Sequence, residues 1–225
     1  MVPDAEPSAQ TLLRLLQLAS PALPVGAYSY SEGLETLVSQ GLTDPAGILQ
    51  WLEQELAGGL IRVEATLLYR LHGAHGEDLN VWNQWLSARR DTEEGRHQSW
   101  AMGRALGRLL AQLHPEQQAA LAQITSPWNY VVIFALISTH WQISPTAAVL
   151  AYLHSWAANL ITATVKLVPL GQTQGQQMLL DLYPSLETTA QQCQGLEPEQ
   201  LSLSNWGTSL ATMEHEAMYS RLFRS

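Results

Sequence analysis

Apolar residues recur at three- and four-residue steps along most of the chain, the period of an amphipathic helix. Leu12, Leu13, Leu15, Leu16 and Leu18 mark a first helix, stopped by Ser20-Pro21 and Pro24. Pro24 to Tyr28 reads as a loop, with a second short helix expected from about Ser29 to Gln40. Asp44-Pro45 is a strong start signal, a capping acceptor followed by proline at the first helical position. The helix after it carries Ile48, Leu49, Leu52, Leu56, Leu60 and Val63, and Gly58-Gly59 should bend or interrupt it. Ser126-Pro127 and Ser144-Pro145 repeat the start signal, and Pro115 after His114 predicts another short helix.

Two segments, Trp128 to Ile137 and Ala147 to Val165, are apolar nearly all round. A helix without a polar face must be surrounded, so these are expected to form a central pair. No alternating runs with turn dipeptides argue for a sheet. The pattern therefore predicts an all-α, single-domain bundle of about eight to ten helices over residues 1–225, with residues 1–8 flexible. The glutamine-rich stretch 171–200 keeps an apolar face through Met178, Leu179, Leu180 and Leu182, which predicts a helix and then a loop around Gly195 to Pro198.

Composition narrows the function. The 225 residues carry 14% charged side chains, with 20 acids against 11 bases, well below the roughly 25% of an average domain. Lys166 is the sole lysine. This acidic balance argues against nucleic acid or an anionic membrane as partner. One cysteine, Cys193, excludes an intrachain disulfide framework and fits a reducing, cytoplasmic setting. The proline-broken acidic N-terminus is unlike a signal peptide, and the longest apolar run, Val131 to Ile137, is short of the roughly 18 residues that span a membrane.

Standard catalytic signatures are missing: there is no phosphate-cradling loop, no HExxH and no nucleophile elbow. His72 and His75 have a chelating spacing but sit beside Gly73 and Gly76 near a helix end, where surface histidines are the plainer reading. Cys193 has no adjacent base to activate its thiol. No metal or cofactor is expected. Ser99, Gly103, Gly107 and Ala111 make a stripe of small side chains every four residues. Glycine inside a helix costs about 1 kcal/mol against alanine, so the stripe needs a packing reason, either within the chain or across a dimer. Arg104 and Arg108 lie on a neighbouring face. Toward the end, Trp206, Leu210, Met213 and Ala217 mark an amphipathic helix. Tyr219, Leu222 and Phe223 then interleave with Arg221 and Arg224, the composition of interface hot spots. Such a tail either folds back on its own domain or docks a partner, and the arginines favour docking. Lys166, before Leu167-Val-Pro-Leu-Gly-Gln172, complements a helix C-terminus.

These motifs resemble a known family. Leu15-Leu-Gln-Leu-Ala-Ser-Pro-Ala-Leu-Pro-Val-Gly-Ala-Tyr-Ser-Tyr-Ser-Glu-Gly-Leu-Glu35 is similar to the N-terminal signature of the urease accessory UreF family. Lys166 to Gln172 resembles its second signature, and His215 to Ser225 its C-terminal one. Met102 to Leu106 is similar to a looser fourth, with Ala101 where glutamine is usual. The resemblance implies an all-α homodimer with no chemistry of its own. It would bridge UreD (also called UreH) and the GTPase UreG and regulate GTP-dependent nickel insertion into apo-urease. By motif position, Glu35 and Lys166 match residues tied to GTPase coupling, and Tyr28, Ser29 and Tyr30 match the N-terminal signature. His215, Tyr219, Arg221, Leu222, Phe223 and Arg224 fall in the docking segment, residues 216–225 and the histidine before it. The alternative is a protein that carries nickel itself through His72, His75 or His215.

Overall fold

The computed structural model describes residues 7–197, 200–201 and 205–224, and every regular element among them is helical. Helix α1 (Ala9–Ala19) is capped by the Ser8 hydroxyl, which accepts the Thr11 N–H at 3.1 Å. A 3-10 turn at Ala27–Ser29 precedes α2 (Leu34–Ser39). Helix α3 (Pro45–Gly58) starts at its sequence signal, with Asp44 accepting the Gly47 N–H at 2.8 Å, and Gly59 divides it from α4 (Leu60–Leu71). Next come α5 (Glu77–Arg89), α6 (Glu93–Leu113), a 3-10 turn at Pro115–Gln117 and α7 (Gln118–Ala122). Helix α8 (Tyr130–His140) is followed by α9 (Pro145–Leu167), capped by Ser144, then α10 (Gln172–Asp181), α11 (Tyr183–Cys193) and α12 (Trp206–His215).

Twelve α-helices among the described residues exceed the expected number for local reasons. Leu182 and Pro184 split the glutamine-rich stretch into α10 and α11. The loop predicted after it falls partly outside the described residues. Helix α2 begins at Leu34, not Ser29, because Gly26, Glu32 and Gly33 all take left-handed backbone. Ser126-Pro127 starts no helix; its peptide bond is cis. Helix α8 is instead begun by neighbours: the Asn83 side-chain Oδ1 accepts the Asn129 N–H at 2.8 Å, and the Ser99 hydroxyl accepts that of Tyr130 at 3.1 Å. Those acceptors are distant in sequence, so no local rule could locate them.

The core is organised by the two apolar helices, though not as a simple pair. All of α8 from Tyr130 to Ser138 is buried. Helix α9 packs against α1, α2, α4, α10 and α11, and α4 lies against both α8 and α9. By length and composition α9 could cross a membrane, yet only Thr162 and Lys166 along it are exposed. Surrounding helices supply the apolar environment that its sequence demands.

The small-residue stripe on α6 is taken up inside the chain. The Ser99 hydroxyl lies 3.1 Å from Asn129 Oδ1. A Cβ on Gly103 would collide with the Trp128 carbonyl, and one on Gly107 would come within 2.6 Å of the Trp128 ring. Ser99, Gly103 and Gly107 therefore let α6 close against the entry to α8, and Ala111 is partly buried against the core. Of the two packing reasons the sequence offered, contact within the chain accounts for Gly103 and Gly107.

Candidate functional site: a latched C-terminal segment

Residues from both ends of the chain meet around one carboxylate. Glu35 stands in the first turn of α2, where the unpaired backbone N–H groups favour negative charge. Gly33 before it is left-handed at φ 84°, and a Cβ there would meet Thr212 Oγ1 at 2.9 Å. Glycine thus serves both the turn and the close approach of α2 to α12. After α12 the chain doubles back, and Glu35 accepts the backbone N–H groups of Leu222 at 2.6 Å and Phe223 at 3.0 Å. The Arg224 N–H donates to the Ser29 carbonyl at 2.8 Å. Backbone atoms thus hold the terminal segment, and the Tyr219 and Leu222 side chains stay exposed.

His215 sits beneath this clasp, fully buried. Its Nε2 lies 3.1 Å from Glu35 Oε2 and its Nδ1 3.1 Å from Glu94 Oε2. Arg221 reaches Glu94 Oε1 at 3.1 Å. The ring thus bridges two carboxylates, with the Arg221 guanidinium beside the second. Phe223 is buried, and Lys166 Nζ lies 5.5 Å from its ring centre. An exposed ammonium over an aromatic face is attracted by the ring's quadrupole. Tyr28, Tyr219 and Leu222 extend outward, Tyr219 with essentially its whole side chain in solvent. Trp206, Leu210 and Met213 also leave their side chains exposed on α12.

Burial alone would raise the Glu35 carboxyl, but the Leu222 and Phe223 donors and His215 outweigh it and hold its pKa below the ordinary value. For Glu94 burial prevails over His215 and Arg221, and its pKa is raised. A carboxylate lowered on folding stabilises the folded form above its unfolded pKa, and that contribution is lost as pH falls through the folded one. The clasp should therefore open in acid as Glu35 takes up a proton. The chain has two phenylalanines, Phe134 in the core and Phe223 in the clasp, so fluorophenylalanine labelling gives two fluorine resonances. On acidification below pH ~4, the Phe223 resonance should move toward its solvent position before Phe134 does. Simultaneous movement of both would mean global unfolding and no separate clasp.

A cavity of about 150 Å³ lies beside the clasp, lined by Glu32, Glu55, Glu64, Arg90, Tyr152 and Trp156 among others. Glu32 accepts from Gln98 at 2.8 Å and from Trp156 Nε1 at 2.9 Å. Glu55 accepts from Asn205 at 3.0 Å and from the Thr208 hydroxyl. Burial raises the pKa of both carboxyls. Glu64 pairs with Arg90 and accepts the Tyr152 hydroxyl at 2.9 Å. The cavity is a hydrogen-bonded carboxylate chamber shared by α3, α4, α6, α9 and α12.

Of the residues singled out in the sequence, Ser29, Glu35, Lys166, His215, Arg221, Phe223 and Arg224 converge on the clasp. Tyr30 is buried beside it, its carbonyl accepting from Asn159 at 3.2 Å. Leu222 is held only by its backbone. The tail does fold back on its own domain, as one of the two sequence readings had it, while Tyr219 and Leu222 remain outward. Glu94 was missed; its signal is weak, an acid in the first turn of α6 like its neighbour Glu93. Among the described residues, His72, His75 and His215 form no shared group of possible metal ligands: His215 is engaged on both nitrogens, and His72 Nε2 faces the Ile143 carbonyl at 2.6 Å. Cys193 is buried and its thiol pKa is raised by that burial.

Fold and site together define an all-helical protein that presents a clasped terminal segment on its surface. The comparisons with known proteins give that class a family. The UreF family profile matches residues 42–183. Over 218 residues the chain is 53% identical to the urease accessory protein UreF of Trichormus variabilis, covering 95% of each. It is 52% identical to that of Microcystis aeruginosa, over 95% of this chain and 97% of the relative. With the protein of that name from Alkalilimnicola ehrlichii it shares 41%, over 94% and 95%. The chain belongs to the UreF family of urease accessory proteins.

Proposed function

We propose that this chain is an adaptor in urease maturation, a cytoplasmic homodimer that bridges UreD (UreH) and the GTPase UreG. In this role it regulates GTP-dependent nickel insertion into apo-urease. The observation that carries the reading is the convergence of three separated sequence signatures on one clasp. Glu35, Lys166 and the segment from His215 to Arg224 lie far apart in the chain, yet they form one contiguous structure with exposed aromatic and arginine side chains. An enzyme would need reacting groups gathered around a substrate, whereas a docking module needs an ordered segment with hot-spot side chains facing outward. The clasp supports the second description. Regulation would then require only that docking bias the partner's switch segments, with no group from this chain on the phosphate.

The test is co-purification with UreD. Deleting residues 216–225 removes the exposed side chains and leaves the helical core, so the shortened chain should keep its far-ultraviolet circular dichroism and lose UreD. Retained UreD on a folded, shortened chain would defeat the assignment of the segment as a docking element.

A further inference from the structure

At the other end of α6 from Glu94 lies a second cluster, which the clasp does not use. The two are about 30 Å apart along the helix. His114 caps the C-terminus of α6, Glu116 follows in the 3-10 turn, and His140 ends α8. The Glu116 Oε1 atom is 3.3 Å from His114 Nδ1 and 3.5 Å from His140 Nε2, and the ring centres are 4.4 Å apart. We propose that His114, Glu116 and His140 form a binding site for one borderline divalent transition ion, of the zinc or nickel kind.

The spacing suits such an ion. Metal–ligand bonds of about 2.1 Å in a tetrahedral site place ligand atoms about 3.4 Å apart. The 3.3 and 3.5 Å separations match that length, and the candidate ligand atoms of all three residues lie within 4.8 Å of one another. Two imidazoles and a carboxylate are a donor set for zinc or nickel, not for calcium or magnesium. Both histidines stand at helix C-termini, where backbone carbonyls favour a cation. Three protein ligands leave one position for water or for a donor from another molecule. The Gln117 side-chain amide donates to His140 Nδ1 at 3.1 Å, which leaves the ring proton on Nε2; the amide must turn its oxygen to Nδ1–H before Nε2 can hold an ion.

Two further features oppose tight binding. The Trp141 indole N–H donates to His114 Nε2 at 2.9 Å, which places the ring proton on Nδ1. An ion on Nδ1 displaces that proton to Nε2, so the Trp141 bond must be released. Arg14, which donates to the Trp141 carbonyl at 3.2 Å, sets a cation nearby. The site should therefore bind in the micromolar range, and removing the indole N–H should strengthen it.

Calorimetric titration of the full chain with zinc chloride, and separately with nickel chloride, tests this. We expect one ion per chain, with affinity weakened about tenfold or more in His140→Ala and in Glu116→Ala. His75→Ala, at an exposed position outside the cluster, should bind as the unsubstituted chain does, and Trp141→Phe should bind several-fold more tightly. Circular dichroism confirms that each variant is folded. Absence of uptake of either ion by the unsubstituted chain overturns the proposal. So does uptake undiminished in both folded ligand variants.

Discussion

Replacing Glu35 with alanine is expected to release the C-terminal segment while leaving the helical core folded. The substitution strands three groups at once: the Leu222 N–H, the Phe223 N–H and the buried His215 ring. Each backbone donor can regain water if the segment lifts, but His215, fully buried, cannot. The loss should be about 3 kcal/mol, and it falls on the local equilibrium between clasped and open tail before it falls on the whole fold. Trypsin should then cut after Arg221 and Arg224 far faster than in the unsubstituted chain, with the core resistant. Glu35→Gln separates charge from shape, since its amide oxygen can still accept a backbone N–H. It should give an intermediate rate. Equal tryptic rates for all three proteins would show that the carboxylate does not hold the tail.

Gly103→Ala is expected to lower the stability of the whole chain. A Cβ there would enter the Trp128 carbonyl and stand 2.9 Å from the carbonyl carbons of Trp128 and Asn129. Those are backbone atoms and cannot swing aside, so α6 must back away from α8 and open the Asn83–Ser99–Asn129 network between them. Overpacking of this kind costs about 3 kcal/mol, a fall in Tm of about 10 °C for a chain of this length. Gly171→Ala is the control, because nothing lies within 4 Å of its Cβ. A Gly103→Ala chain with unchanged Tm and altered oligomeric state would instead place the stripe between copies.

The helices of this fold were legible where their signals are local. Asp44-Pro45 and Ser144-Pro145 cap the helices they begin, Gly59 divides α3 from α4, and the all-apolar segments are core. The signals failed where an element's ends are set by distant partners. Ser126-Pro127 resembles a helix start, but Asn83 and Ser99 decide where α8 begins. The stripe on α6 asked for a close neighbour without naming it, and the neighbour is Trp128. In the clasp, Glu35, Lys166 and the terminal aromatic–arginine segment were each visible. Glu94 was not, since one acid in a helical first turn looks like any other. The buried carboxylates Glu55 and Glu64 left a fainter signal, charges at positions where α3 and α4 otherwise present apolar residues.

Reconstitution of urease activation from purified apo-urease, UreD, UreG, nickel, bicarbonate and GTP tests the adaptor role most directly. Three samples suffice: the full chain, the chain lacking residues 216–225, and none. The account predicts full activity and nickel loading only with the full chain, and low values in the other two. Equal activity and equal nickel content in all three would contradict it.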